Sequence, residues 1–120
     1  MTLELLICTL DDGIQGIAEH LEAPCDGVCY LCSCQYTTPQ PPPIPSELCE
    51  RDDVRVVFLP GAGLCRNRNN ALDHAVGDVL MICPKENLAA LRHNKTLIII
   101  CLGLCLHLYN FWWHMMAAEL

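Results

Sequence analysis

The sequence predicts an α/β domain built on a parallel β-sheet, and three observations lead to this fold class. Short apolar runs alternate with helical periodicity in the order strand, helix, strand, loop, strand, helix, strand. The predicted strands are apolar throughout rather than at every second residue, which is typical of strands covered on both faces. The 120 residues are 52% hydrophobic, enough for one modest core and too apolar for a disordered chain.

The first half of the predicted sheet comes from residues 3–34. We expect a strand over residues 3–8 and then a helix with Asp11 or Asp12 as its N-cap. Pro24 ends this helix, and residues 28–34 form the second strand. The helix is indicated by apolar residues at helical spacing, namely Ile14, Ile17, Ala18 and Leu21.

The second half follows a proline-rich loop over residues 37–47, whose fixed φ angles favour an extended polyproline II conformation. A strand over residues 54–59, a helix ended by Gly77 at its C′ position, and a strand over residues 79–83 are then predicted. The carboxyl ends of parallel strands meet at one edge of a sheet and bind ligands there. We therefore expect four loops to be neighbours: residues 9–12, 35–38, 60–63 and 84–87.

Charge and cysteine content bear on partners and location. The net charge of −7 and the pI near 5.0 give no sign of a nucleic-acid partner, which requires a basic surface. Ten cysteines would suggest a disulfide scaffold in a short secreted chain. The start MTLELLICTLDDG has no basic n-region, however, and Glu4 interrupts its apolar run. We therefore expect a reducing, cytoplasmic location.

Residues 96–113 form a second region, an 18-residue apolar run without formal charge. This length meets the lower limit for a membrane span, and Arg92 and Lys95 would place its N-terminal side in the cytoplasm. A buried strand followed by a core helix would give the same pattern. We divide the chain into a domain over residues 1–95 and an apolar segment over residues 96–120, either core or membrane-associated. A non-catalytic, membrane-associated protein is one functional alternative.

The most informative segment is Gly61 to Asp78, GAGLCRNRNNALDHAVGD. A Gly-x-Gly turn leads from a strand into a helix start, where free N–H groups and the helix dipole favour an anion. Arg66 and Arg68 are expected in the first turn, where positive charge opposes the dipole and a phosphate would relieve the conflict. Alternatively, both arginines are solvated or pair with nearby carboxylates, those of Asp52, Asp53 or Asp73.

Residues 53–83, DVRVVFLPGAGLCRNRNNALDHAVGDVLMIC, resemble the nucleotide-binding half of family 2-like glycosyltransferases. These enzymes commonly read strand, Gly-x-Gly-Leu-Ser-x-Ala-Arg-Asn, helix, Gly-Asp and a strand ending in Asp-x-Asp. The start LELLICTLDDGI looks like the family's first strand and nucleotide-binding turn, so the resemblance covers about residues 1–83. It implies a truncated, Rossmann-like (GT-A-like) fold that binds a nucleotide diphosphate sugar.

The resemblance also implies a donor site. It places Thr9 beside the base or ribose, Arg66 and Arg68 near the diphosphate, and Asp78 near the nucleoside. An active enzyme would transfer a sugar from this donor. The implied nucleotide-binding residues are Thr9, Asp11, Gly63, Arg66, Arg68, Asn69 and Asp78.

Two departures from the family's pattern bear on activity. Cys65 stands where the family has a serine as helix N-cap, and a thiol is a weaker cap. The Asp-x-Asp that holds Mg²⁺ or Mn²⁺ in the family is replaced by Pro-Lys-Glu-Asn at residues 84–87. Glu86 alone remains as a candidate metal ligand there. The departures predict a donor-binding protein that is fragmentary or inactive.

A cysteine cluster supports a different hypothesis, a zinc-binding module. The spacing Cys25-x3-Cys29-x2-Cys32-x-Cys34 supplies up to four thiols, and thiolates are common zinc ligands. The spacing also matches formally the [4Fe–4S] loop of radical SAM enzymes. That loop directly follows the first strand, whereas here a helix is predicted in between. Ordinary buried thiols are the remaining alternative, because most of the cluster lies in an apolar run.

Overall fold

The computed structural model describes residues 1–83, which form an α/β domain on a four-stranded parallel sheet. The strands are β1 (Leu3–Leu10), β2 (Val28–Tyr36), β3 (Val54–Pro60) and β4 (Val79–Cys83), in the spatial order β3-β2-β1-β4. All three neighbouring pairs are parallel. The predicted α/β class and the four predicted strands are confirmed, and the first three strands end slightly beyond their predicted limits.

Strand β1 lies at the centre of the sheet and organises it. Leu6 pairs with Leu31 of β2 on one side and with Ile82 of β4 on the other. The chain runs from β1 to β3 in one direction and then crosses back to place β4 on the far side of β1. The order therefore reverses between β1 and β4, and α/β sheets bind ligands at the carboxyl edge of such a reversal.

One face of the sheet carries the larger part of the core. The connections from β1 to β2 and from β2 to β3 both cross this face. The second of these contains the proline-rich loop and a single helical turn, α1 (Ser46–Cys49). Side chains of all four strands pack there beneath residues of the two connections. The buried members include Leu5, Ile7, Tyr30, Cys32, Ile14, Ile17 and Leu48.

The connection from β1 to β2 differs from its prediction. Instead of one α-helix it contains two 3-10 segments, Asp11–Gly16 and Ala18–His20. Gly13 and Gly16 fall inside the predicted helix, and each disfavours helix by about 1 kcal/mol relative to alanine. The apolar residues of this segment still pack into the core, because Ile14 and Ile17 are fully buried.

The other face is covered by α2 (Leu64–His74), which packs over β1, β2 and β3. Ala71 of this helix contacts a smaller core formed with Leu6 and Leu31. The connection from β3 to β4 therefore crosses the face opposite to the earlier connections. Parallel strands are joined by right-handed crossovers, so a reversal of direction requires a change of face.

Gly77 has a role different from the predicted helix C′ position. Helix α2 ends at His74 with Ala75 as its C-cap residue, and Gly77 does not adopt a positive φ. A Cβ atom at residue 77 would lie 2.6 Å from Cβ of Glu4, closer than packed carbon atoms approach. Glycine is required here because the chain passes directly against β1.

Several predictions fall on residues outside the described part of the chain. They concern the loop over residues 84–87 with Glu86, the domain limit at residue 95, and the apolar run over residues 96–113. Among the helices of residues 1–83, none has the length and apolar character needed to cross a membrane.

Candidate functional site

Three loops meet at the carboxyl edge of the sheet, as predicted. The carboxylate of Asp11, after β1, accepts hydrogen bonds from the backbone N–H of Thr37 at 2.7 Å and from its hydroxyl at 2.8 Å. The N–H of Gly61, after β3, donates to the carbonyl of Tyr36 at the end of β2 at 2.9 Å. The loops after β1, β2 and β3 are thereby tied together beside the start of α2.

The turn from β3 into α2 uses backbone conformations that favour glycine. Gly61 has φ 101° and Gly63 has φ 140°, both outside the range that L side chains adopt readily. Gly63 is the N-cap of α2, and no side-chain hydrogen bond from the described part of the chain caps the helix. The prediction that Cys65 takes the N-cap is therefore wrong, because Cys65 is the second residue of the helix.

Two arginines lie beside this uncapped helix start. Arg66 is exposed, and its guanidinium folds back over the turn, 3.2 Å from the position that a Cβ on Gly61 would occupy. Arg68 is half-buried and begins the second turn of α2. The prediction that it lies in the first turn is therefore wrong. Burial raises the pKa of the Cys8 thiol on β1, and the charge of Arg68 partly offsets that rise.

Within residues 1–83, neither Arg66 nor Arg68 takes part in an ion pair. The pairing with Asp53, considered as an alternative from the sequence, is excluded because that carboxylate binds Arg51 through two hydrogen bonds of 2.9 and 2.7 Å. Among the described residues, neither guanidinium charge is neutralised, and that of Arg66 lies in the first turn of α2, where a positive side chain is unfavourable.

Two buried polar atoms at the same edge have no hydrogen-bond partner within residues 1–83. Gln35, near the end of β2, is 2% exposed and its Nε2 atom is unpaired. Asn67, in α2, is 3% exposed; its Nδ2 donates to the carbonyl of Thr9 at 3.0 Å, while its Oδ1 is unpaired. A buried polar group without a partner costs about 1–3 kcal/mol, so both atoms represent unused hydrogen-bonding capacity.

Of the remaining residues implied for the donor site, three lie at or near this edge. Asp11 is a non-glycine residue with φ 48°, a strained backbone that its two bonds to Thr37 help to hold. Thr9 is buried, with its hydroxyl 3.7 Å from the Cys32 sulfur, so it faces the core rather than the open edge. Asn69 is exposed on α2.

Asp78 lies apart from the other implied residues. It precedes β4 and is therefore at the amino edge of the sheet, about 16 Å along the strand from the carboxyl edge. Its carboxylate accepts a hydrogen bond of 2.8 Å from the N–H of Thr2 and one of 3.2 Å from its hydroxyl. The structure therefore does not bring Asp78 together with Arg66 and Arg68.

The amino edge holds the described ion pairs. Glu4 of β1 is fully buried and binds Arg55 of β3. The Glu4 carboxylate also accepts hydrogen bonds from the N–H groups of Val76 at 2.7 Å and Gly77 at 2.8 Å. Burial alone would raise the pKa of Glu4, but the bonds from Arg55 and the two amides outweigh it, so the net shift is downward.

The four cysteines proposed to bind zinc do not converge. Cys25 is exposed before β2, and Cys29 points to the sheet face opposite to that of Cys32 and Cys34. Burial raises the pKa of Cys32 to about 12, which disfavours the thiolate that zinc binds. Within the 83 described residues, no group of three or more His, Cys, Asp or Glu side chains could hold a metal ion.

Sequence reasoning missed three polar residues of these two edges. Gln35 lies in the loop expected over residues 35–38 and Asn67 in the predicted helix, and nothing in the spacing marks either side chain as buried. Glu4 did leave a signal, since it is the single charge in the run LELLIC. A charge inside a strand expected to be covered on both faces indicates a buried partner.

Comparisons of the chain with models of protein families, with curated proteins and with solved structures each find no match.

Proposed function

We propose that the carboxyl edge of the sheet binds a nucleotide diphosphate sugar, and that the chain is a glycosyltransferase-like donor-binding protein with a GT-A-like fold. One observation carries this proposal. Arg66 and Arg68 are without ion-pair partners in residues 1–83, beside an uncapped helix start at the point where strand order reverses. An anion bound there would offset both the arginine charges and the helix dipole.

Local charge, rather than net charge, governs such a site. The chain carries −7 overall, but at physiological ionic strength charges farther than about 8 Å apart are largely screened. The positive groups at this edge are the two arginines and about half a charge from the helix, and the loop after β1 contributes the carboxylates of Asp11 and Asp12. Both Asp11 oxygens already accept bonds from Thr37, so the arginines offer the free hydrogen-bonding groups.

The unpaired atoms of Gln35 and Asn67 are further support for a polar ligand. One is a donor and the other an acceptor, and both lie beside the loops that would surround a nucleoside. They are buried, so a ligand reaches them through a bridging water or a shift of the Asp11 loop. The strained backbone of Asp11 favours such a shift.

The proposal is limited to binding of the donor. Among the described residues at this edge, no cluster of three or more side chains could hold Mg²⁺ or Mn²⁺. We therefore derive no transfer step through a metal. Asp78 is left out of the proposed site because it lies at the amino edge.

Calorimetric titration of the full chain with UDP and GDP, each with and without Mn²⁺, tests the proposal. We expect dissociation constants below the millimolar range for at least one of them, and affinity that falls as salt is added because the site is electrostatic. If neither nucleotide binds or raises Tm at millimolar concentration, donor binding is refuted.

A second titration separates the diphosphate from the nucleoside. Hydrogen bonds to a charged group contribute about 1.5–3 kcal/mol each, so the diphosphate should bind at least about tenfold more tightly than the matching nucleoside. Equal affinity of UDP and uridine would show that the arginines do not hold the phosphates.

A further inference from the structure

The connection from β2 to β3 contains an exposed run of prolines that the proposed nucleotide site does not use. Residues 39–45 read PQPPPIP, and we call them the proline segment. Pro39, Gln40, Pro41 and Pro43 are exposed, and the other three residues are half-buried. The segment therefore presents apolar proline rings to solvent as well as to the core.

The proline segment has a restricted backbone conformation. Each proline has φ fixed near −65°, and a residue that precedes a proline is confined to extended or polyproline II conformations. Gln40, Pro41, Pro42 and Ile44 all precede a proline. At the end of the segment, Pro45 has φ −56° and ψ 140°, close to polyproline II values. The segment is therefore a polyproline II element, as the sequence predicts for this loop.

Contacts on one side hold the segment against the domain. Just before it, Thr37 donates two hydrogen bonds to the carboxylate of Asp11. The side chain of Gln15 donates to the carbonyl of Pro43 at 2.8 Å, and Ile44 packs against the larger core. A ligand that is already held in its bound conformation loses less entropy on binding, so this anchoring favours recognition by a partner.

We propose that the proline segment is a docking ligand for a partner protein with an aromatic-lined groove that binds polyproline II helices. Such grooves recognise PxxP sequences, and the segment contains two overlapping copies, Pro39-x-x-Pro42 and Pro42-x-x-Pro45. Aromatic rings of the groove pack against the exposed proline rings. This inference does not rest on the proposed nucleotide site.

Charge near the proline segment specifies the groove further. Glu47 and Glu50 are exposed shortly after the segment, and the sequence contains no Lys or Arg from residue 37 to residue 50. The next cation, Arg51, is held by the carboxylate of Asp53. Complementary charge speeds association, and like charge excludes wrong partners. The partner's groove is therefore bordered by basic side chains.

Titration of the full chain with purified WW and SH3 domains tests the proposal. The domains form two sets, one with basic and one with acidic side chains around the groove. We expect binding by the basic set, with an affinity that falls as salt is added, and binding at least about tenfold weaker by the acidic set. No binding by the basic set at millimolar concentration, or tighter binding by the acidic set, would overturn the proposal.

Proline variants distinguish docking from a role confined to stiffening the loop. Pro41→Ala and Pro43→Ala should each weaken binding of the basic set about fivefold or more. Pro24→Ala is the matched control, because Pro24 is an exposed proline outside the segment and its loss should leave binding unchanged. All three variants should show a similar, small decrease in Tm, since each removes one proline restraint on the unfolded chain.

Two further outcomes decide the matter. Glu47→Gln combined with Glu50→Gln should weaken binding of the basic set and reduce its dependence on salt. If Pro41→Ala and Pro43→Ala lower Tm but bind the domains as tightly as the parent, the prolines only stiffen the loop and the proposal is wrong.

Discussion

The two edges of the sheet are built from similar residues in opposite ways. At the amino edge, Arg51 and Arg55 are neutralised by Asp53 and Glu4. At the carboxyl edge, Arg66 and Arg68 have no such partner within residues 1–83. Of the three buried side-chain atoms without a partner in residues 1–83, those of Gln35 and Asn67 lie at the carboxyl edge and that of Glu22 lies on the amino side. Three of the four positive-φ residues, Asp11, Gly61 and Gly63, are also at the carboxyl edge, and Gly27 is at the amino edge.

The difference teaches where this domain gains stability and where it is prepared for a ligand. Paired charges and satisfied amides hold the strands together at the amino edge. Unpaired charge, strained backbone and unused hydrogen bonds cost stability at the carboxyl edge and are typical of functional sites. The predictions below separate these roles, since amino-edge variants should change stability alone and carboxyl-edge variants should change binding alone.

The largest expected effect is on stability, from Glu4→Ala at the amino edge. The substitution leaves Arg55 and the N–H groups of Val76 and Gly77 without their partner. We expect a loss of about 3 kcal/mol in the free energy of unfolding, less than for a fully buried pair because Arg55 is partly exposed. Urea denaturation measures it, with the exposed Glu50→Ala as control. Equal stability of both variants would show that the bonds from Glu4 to Arg55, Val76 and Gly77 do not stabilise the amino edge.

Next in size is the loss of affinity expected for Arg66→Gln combined with Arg68→Gln. Removing two charged donors should weaken UDP or GDP binding about 10- to 100-fold while leaving Tm nearly unchanged. Arg51→Gln is the matched variant at the amino edge, since it should lower Tm and leave the affinity of the folded protein unchanged. If Arg51→Gln weakened binding as much as the double variant, the division between the edges would be wrong.

A smaller loss of stability is expected for Gly77→Ala. Its added Cβ would meet the Glu4 Cβ at 2.6 Å and force the α2–β4 connection away from β1, at a cost of about 2 kcal/mol. Gly13→Ala is the control, because a Cβ there makes an ordinary contact of 3.6 Å with Thr9. Thermal unfolding of the two variants compares them, and nucleotide affinity should be unchanged in both. A Gly77→Ala protein as stable as the parent would refute the close approach.

The smallest effect concerns pH. Bonds from Arg51 lower the pKa of Asp53, and those from Arg55 and two amides lower the pKa of Glu4 against the effect of burial. Their stabilisation is present above the unfolded pKa values of about 4 and is lost as pH falls through the folded ones. We expect the free energy of unfolding to fall by about 1 kcal/mol or more between pH 5 and pH 3.

Two variants locate this pH dependence. Asp53→Asn should flatten the dependence of urea midpoint on pH, because the titrating group is removed. Asp12→Asn, an exposed acid at the carboxyl edge, should leave it as it is in the parent. An unchanged slope in Asp53→Asn would show that the amino-edge pair does not contribute.

The sequence by itself determined the α/β class, the four strands and the glycine turn into α2. Each depends on local information: uninterrupted apolar runs, helical spacing, and a Gly-x-Gly pair where the chain must change direction. Even the resemblance to family 2-like glycosyltransferases is a property of contiguous residues. The same local reasoning failed in residues 11–20, where Gly13 and Gly16 outweighed the helical spacing. It also failed at Gly77, which is required by a close contact with β1 and not by the end of the helix.

Only the tertiary structure decided which polar groups are paired. Glu4 and Arg55 lie 51 residues apart in the chain, and Asn67 and Thr9 lie 58 apart, so no local pattern could connect them. Likewise, Asp78 is close to Arg68 in sequence but sits at the other edge, because half of α2 and its connection separate the two residues. Sequence spacing predicts which residues share an element, whereas the crossovers decide which elements share an edge.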